Sequence, residues 1–244
     1  MPARTIPLKP ATAPGRTDAW WLAPLGTAIA LVLLIAYSLW AALQGANYYV
    51  APYLSPLYSP ALTPGWWSAS PALLVLWVPA GLRATCYYYR KAYYRSFFLS
   101  PPACAVPDAR VEYHGESRPP LALQSLHRYF FYLSLPILGF LWWDALQAFR
   151  FEDRWGVGLG SLLLLANVVL LSLFAASCNS CRHVCGGHLK SLHDAPLRHR
   201  AWKLASRLNA HHREYAWASF ASVVAADLYI RLLASGALHD PRLL

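Results

Sequence analysis

Five long apolar segments constrain the fold of this 244-residue chain more than any other feature. They cover about residues 20–43, 71–89, 126–149, 157–177 and 215–233. Each approaches the roughly 20 residues that an α-helix needs to cross the hydrocarbon core of a bilayer. A helix also satisfies all its backbone polar groups within the segment, as a bilayer requires. The sequence therefore predicts an all-α integral membrane bundle of five transmembrane helices.

The composition agrees with a membrane protein and argues against nucleic-acid binding. Charged residues make up 13% of the chain, whereas a soluble domain is about one quarter charged. The net charge of +10 comes from Lys and Arg residues that separate the apolar segments and form no continuous basic face. The sequence also has no Gly-rich phosphate loop and no nucleophile elbow. We therefore expect no nucleic-acid partner and no soluble catalytic domain.

Lys and Arg residues also predict the orientation of the bundle. They are concentrated before the first segment, after the second and after the fourth, whereas residues 44–70 contain none. Positively charged loops remain on the cytoplasmic side of a membrane. The chain is thus predicted to be a multi-pass protein of the plasma membrane, with its N-terminus in the cytoplasm. Its predicted parts are a cytoplasmic tail (1–18), a transmembrane domain (19–235) and an outer tail (236–244).

A dense group of metal-binding residue types follows the fourth segment. The twelve residues from Ser177 to His188 include three of the five cysteines and two of the nine histidines. Sulfur and imidazole ligands at this density indicate metal or redox chemistry. In a continuous helix Cys178, Cys181, Cys185 and His188 would form one stripe, but the Gly186-Gly187 pair predicts a helix end. Structural disulfides are not expected on the cytoplasmic side, which also holds Cys86 and Cys104.

Four helix ends predict a second possible ligand set at a single depth. His127 and His212 open the third and fifth segments, and Cys86 and Cys178 close the second and fourth. Helical bundles hold cofactors between side chains from facing helices. Two cysteines and two histidines suit a Rieske-type [2Fe–2S] cluster, whereas two histidines alone suit the axial positions of haem b. A structural zinc site is a third possibility.

Polar residues near the outer side are predicted to be ordered. Asp227 and Arg231 are spaced i,i+4 and should form an ion pair on the fifth helix. The Tyr-, Pro- and Ser-rich residues 47–60 are expected to form an aromatic cap. Asp144 lies within the third segment, where an ionisable group is costly. It is either part of a proton path or a hydrogen-bonded interface residue.

Five motifs together resemble one known family. They are Cys86 to Tyr94 (CYYYRKAYY), Pro101 to Val106 (PPACAV), His127 to Tyr132 (HRYFFY), Ser177 to His183 with Gly186-Gly187, and Leu208-Asn209 followed by His212. The family is the single-chain, five-helix membrane anchor of a class of succinate dehydrogenase, respiratory complex II. The resemblance covers about residues 48–244.

The resemblance implies an anchor that binds a flavoprotein and an iron–sulfur subunit on its cytoplasmic face. Such a subunit passes electrons from succinate to a membrane quinone, while succinate oxidation itself takes place on the partners. It contributes quinone reduction to the enzyme. The class is associated with a Rieske-type [2Fe–2S] cluster in the membrane, whereas other anchors carry haem b. A non-redox membrane scaffold with a structural metal is the alternative outside this class.

The same resemblance restricts the candidate ligands to six residues. The family motif reads Cys-His-Ser-Cys-Arg-His, but this chain has Asn179 at the second position, which supplies no imidazole. The candidate metal ligands are Cys86, Cys178, Cys181, His127, His183 and His212. A Rieske-type cluster uses two cysteines and two histidines, and the set drawn from four helices is Cys86, Cys178, His127 and His212. Quinone is expected nearby, against Tyr87 and Arg90.

Overall fold

The computed structural model describes residues 18–106, 121–152, 154–187, 189–191 and 193–243. The predicted N-terminal tail lies outside these residues except for Asp18, and so does His188. The described chain is mainly helical, with two short hairpins. Its helices are α1 (Leu22–Gln44), α2 (Ala72–Val75), α3 (Trp77–Ala84), α4 (Tyr87–Phe97), α5 (His127–Gln147), α6 (Leu159–Ala176), α7 (Asn179–Gly186), α8 (Pro196–Asn209) and α9 (His212–Ala234). A 3-10 helix (Leu121–Leu126) precedes α5.

Four of these helices are long and apolar enough to cross a membrane. They are α1, α5, α6 and α9, the last two of which pack closely against each other. Their bounds fall within three residues of the first, third, fourth and fifth predicted segments. Large apolar side chains face outward from them, such as Leu33 (65% exposed) and Trp143 (61% exposed). Contiguous apolar exposure of this kind suits a surface that faces lipid.

The second segment differs from its prediction as one helix over residues 71–89. It forms α2, α3 and the start of α4, with breaks at Leu76 and at Thr85-Cys86. Pro79 explains the first break, because it has no N–H to donate to the carbonyl of Val75, where α2 ends. The described residues therefore contain four long spans and one interrupted segment rather than five continuous helices.

The core contains one cluster of buried residues at one end of the bundle and two at the other. The cluster beside the starts of α5 and α9 includes Cys86, Cys178, Phe131 and Phe174, and we call this end the site end. At the opposite end, the far end, one cluster includes Tyr53, Ala145, Leu164, Val168 and Ile230, and the other includes Ala41, Ala42, Leu57, Tyr58 and Ala72. Strands β1 (Tyr49–Val50) and β2 (Tyr53–Leu54) pair as a hairpin beside the far end, and β3 (Arg150–Phe151) pairs with β4 (Arg154–Trp155).

The predicted aromatic cap over residues 47–60 is ordered. Tyr53 and Tyr58 are both buried, and the Tyr58 hydroxyl donates to the carbonyl of Ala41 at 2.7 Å. Tyr48 stacks on Tyr58 with ring centroids 4.2 Å apart. These contacts attach the cap to the C-terminal end of α1. Ser59 in the same cap donates a hydrogen bond to the Asp144 carboxylate.

The predicted pair of Asp227 and Arg231 is confirmed, and it is buried. The Arg231 Nε lies 2.7 Å from the Asp227 carboxylate. Tyr37 on α1 donates to the same carboxylate at 2.7 Å, and Ser55 in the cap also donates to it. Arg231 in turn donates to the carbonyl of Ala41 at 2.7 Å. One ion pair therefore joins α9, α1 and the cap at the far end.

Candidate metal centre at the site end

Two cysteines occupy equivalent positions in the chain, each between two helices. Cys86 separates α3 from α4 with φ −66° and ψ 131°, and Cys178 separates α6 from α7 with φ −69° and ψ 145°. Both backbones are extended, and the Cys178 Sγ accepts a hydrogen bond from the Ser180 N–H at 3.4 Å. Cys86 is 2% and Cys178 is 4% exposed. Each helix break therefore places a sulfur inside the bundle.

Two histidines, each the first residue of a helix, meet these sulfurs. The His127 Nε2 lies 3.0 Å from the Cys178 Sγ, and the His212 Nε2 lies 3.3 Å from the Cys86 Sγ. Both histidines are half-buried. The structure thus brings together four of the six predicted ligands as two Cys–His contacts within one end of the bundle.

Hydroxyl groups beside the cysteines orient both imidazole rings. The His127 Nδ1 lies 3.0 Å from the Thr85 Oγ1, and the His212 Nδ1 lies 2.7 Å from the Ser177 Oγ. Because Thr85 precedes Cys86 and Ser177 precedes Cys178, each histidine contacts both helix breaks. A hydrogen bond to one ring nitrogen decides which nitrogen is available to a metal. Both rings therefore present Nε2 to sulfur.

Burial weakens the acidity of two thiols at this end, those of Cys178 and Cys181. It raises the pKa of the Cys178 thiol, although the Ser180 N–H acts in the opposite direction. It raises the pKa of Cys181 to about 11, and neighbouring Cys185 adds to that rise. Both thiols are consequently neutral near pH 7. A metal bound by such a group has to displace its proton.

The remaining ligand candidates occupy α7 rather than the centre of the bundle. Helix α7 begins at Asn179 and ends at Gly186, so the single stripe expected for a continuous helix does not include Cys178. Cys181 is half-buried and packs against the site-end cluster. His183 is exposed, and it lines a polar cavity of about 280 Å³ together with His127.

The two quinone candidates lie beside the site end, and a separate apolar cavity lies within the bundle. The Arg90 guanidinium carbon is 4.6 Å from the centroid of the Tyr87 ring, and Tyr87 is 63% exposed. The cavity has a volume of about 430 Å³, and its lining includes Leu31, Arg83, Tyr89, Ile137, Phe174 and Phe220 but neither Tyr87 nor Arg90. The sequence analysis missed this cavity; Arg83, a cation within an apolar segment, is the signal that could have indicated it.

The described side chains include no group of three or more His, Cys, Asp or Glu around a single metal position.

The fold and the site define a multi-pass helical membrane protein with two Cys–His contacts at one end. Residues 22–236 match the family described as actinobacterial succinate dehydrogenase subunit SdhC. The chain belongs to this family, and it is therefore a membrane anchor subunit of a succinate dehydrogenase complex in the plasma membrane.

A solved structure agrees with this assignment. A chain of the Mycobacterium smegmatis Sdh1 complex in the apo form is 40% identical, with a TM-score of 0.86. The match covers 100% of this chain and 98% of that chain. A comparison with curated proteins finds no match.

Proposed function

We propose that this subunit relays electrons from an iron–sulfur partner to a membrane quinone through a Rieske-type [2Fe–2S] cluster. The proposed ligands are Cys86, Cys178, His127 and His212. The observation that carries the proposal is the pair of part-buried Cys–His contacts of 3.0 and 3.3 Å at the site end. These side chains come from four separate segments that only the folded bundle brings together.

The residues present fit such a cluster. Its two irons are held by two cysteines and two histidines, which is the donor set found here. Thr85 and Ser177 act on the histidines as outer hydrogen-bond partners, which hold the rings of metal-binding histidines in one orientation. When bound, a cluster of this type supplies a one-electron couple at a higher potential than an all-cysteine cluster. The chain itself buries the sulfurs and keeps both Nε2 atoms directed toward them.

The same geometry supports the cluster better than haem b or zinc. A haem held by His127 and His212 would use no sulfur, whereas both Nε2 atoms lie against the buried sulfurs of Cys86 and Cys178. A single zinc needs about four donors around one point, and the described side chains include no group of three or more such donors around one position. In a Rieske-type cluster the two cysteines would hold one iron and the two histidines the other.

Helix α8 supports a docking role for the site end. It carries four basic residues, Arg198, Arg200, Lys203 and Arg207, among exposed apolar side chains. Leu197 is 77% exposed and Leu204 is 58% exposed. Exposed apolar groups among charged ones are typical of a protein-interaction surface. We propose that this surface faces the cytoplasm and contacts the iron–sulfur subunit, which in turn binds the flavoprotein.

Metal analysis and EPR spectroscopy of the purified intact complex test this function. A mild reductant should produce a Rieske-type signal, because such centres have higher potentials than the all-cysteine plant-type cluster. The visible spectrum should lack a b-type haem band. A haem band without the Rieske-type signal would support the haem alternative. Zinc without either signal would support a structural metal and contradict the relay.

Quinone binding at Tyr87 and Arg90 is a separate proposal with its own test. Changing Arg90→Gln should raise the KM for quinone about tenfold, because a charged hydrogen bond contributes about 1.5–3 kcal/mol. Succinate oxidation with a water-soluble acceptor should be unchanged. The matched comparison is Ile137→Trp, which narrows the apolar cavity. A raised KM in Ile137→Trp alone would place the quinone in that cavity and contradict the Arg90 site.

A further inference from the structure

Arg83 places a positive charge inside the site end, and its hydrogen-bond partners do not neutralise it. Its Nη1 donates to the Tyr89 hydroxyl at 2.6 Å and to the Ala216 carbonyl at 3.1 Å. Its Nη2 donates to the Ser219 hydroxyl at 3.0 Å. All three acceptors are neutral, and the ion pairs among the described residues do not include Arg83. The charge is therefore held in place by α4 and α9.

An aromatic ring separates this charge from one of the proposed ligands. The Arg83 guanidinium carbon lies 4.7 Å from the centroid of the Phe174 ring. The Phe174 ring stacks on the His212 imidazole, with centroids 5.0 Å apart and an interplanar angle of 16°. These two distances keep the guanidinium within about 10 Å of the imidazole. Arg83, Phe174 and His212 thus form a continuous stack.

We infer that the fixed positive charge of Arg83 raises the reduction potential of the centre at Cys86, Cys178, His127 and His212. The inference rests on the proposed function. A fixed positive charge favours the state that has gained an electron. At about 10 Å and an effective dielectric constant of about 20, one unit charge changes the equilibrium constant by roughly tenfold or more. A tenfold change corresponds to about 59 mV for one electron.

An EPR-monitored redox titration of the intact complex tests the inference. Arg83→Gln should lower the midpoint potential of the Rieske-type signal by about 59 mV, a tenfold change. Arg83→Lys keeps the charge and should retain most of the wild-type potential. The matched control is Arg242→Gln, because Arg242 lies against Phe151 at the far end, with its guanidinium carbon 4.8 Å from the ring centroid. It removes the same charge and should leave the potential unchanged.

A second variant covers the case in which Arg83→Gln does not assemble. Ser219→Asp introduces a carboxylate beside the Arg83 guanidinium and neutralises its charge while keeping the side chain. It should lower the potential in the same direction. A midpoint equal to wild type in either assembled variant would overturn the inference while the relay still stands. Absence of the signal from the wild-type complex would instead overturn the proposed function, and the inference with it.

Discussion

Replacing Cys178 with alanine is expected to remove the Rieske-type EPR signal and to lower quinone reduction by at least about 100-fold. Loss of an outer hydrogen-bond partner already costs about 10–100-fold in metal affinity or activity, and a direct ligand should cost no less. The change also removes the sulfur that lies 3.0 Å from the His127 Nε2. Succinate oxidation measured with a water-soluble acceptor should persist, because that reaction is proposed to take place on the partner subunits.

Other cysteine and histidine variants identify the ligand set. Cys181→Ala and His183→Ala should keep the signal, because both residues lie on α7 outside the two Cys–His contacts. Cys185→Ala is a further matched control on the same helix. His127→Ala and His212→Ala should abolish quinone reduction with either a cluster or a haem, so only the cysteine variants separate the two. Loss of the signal in Cys181→Ala but not in Cys178→Ala would contradict the proposed ligands.

Asp227→Ala is expected to lower the free energy of unfolding by about 3–5 kcal/mol, because it leaves the Arg231 charge buried and unpaired. Arg231 is only 7% exposed. The change also removes the acceptor for Tyr37 and Ser55, and so loosens the contact between α1, α9 and the cap. Denaturant unfolding of the purified complex in detergent, followed by tryptophan fluorescence, measures the loss.

The double variant Asp227→Ala with Arg231→Met provides the control. Removing both charges should restore most of the lost stability, because replacing a buried ion pair with apolar groups is often nearly neutral. The Rieske-type signal should survive in every assembled variant, since the pair lies at the far end. A double variant less stable than Asp227→Ala would show that Arg231 stabilises the bundle mainly through the carbonyls of Ala41 and Ala46.

Local patterns in the sequence were sufficient for several features. Segment length and hydropathy predicted the four long spans, because each helix satisfies its own backbone polar groups. The i,i+4 spacing predicted the pair of Asp227 and Arg231, since both residues lie on one face of one helix. Helix boundaries also predicted that His127 and His212 open two helices at the same end. The first two predictions depend on neighbours within a few residues, and the third also uses the order in which the spans cross the membrane.

The interrupted second segment shows where local reasoning was insufficient. Hydropathy predicted one helix over residues 71–89, yet Pro79 removes a hydrogen bond and the chain breaks again at Cys86. The second break determines where the Cys86 sulfur lies, because the backbone of Cys86 is extended there, like that of Cys178. This break places the Cys86 sulfur against His212.

The sequence by itself predicted the membrane class of this protein, its long spans and six candidate ligands, including the set of four from separate helices. Only the tertiary structure decided how these four pair, with His127 against Cys178 and His212 against Cys86. Cys86 and His212 are separated by 126 positions in the chain, and Arg83 reaches His212 only through the ring of Phe174. Such contacts depend on how whole helices pack against one another, and no periodicity within a single segment encodes that packing.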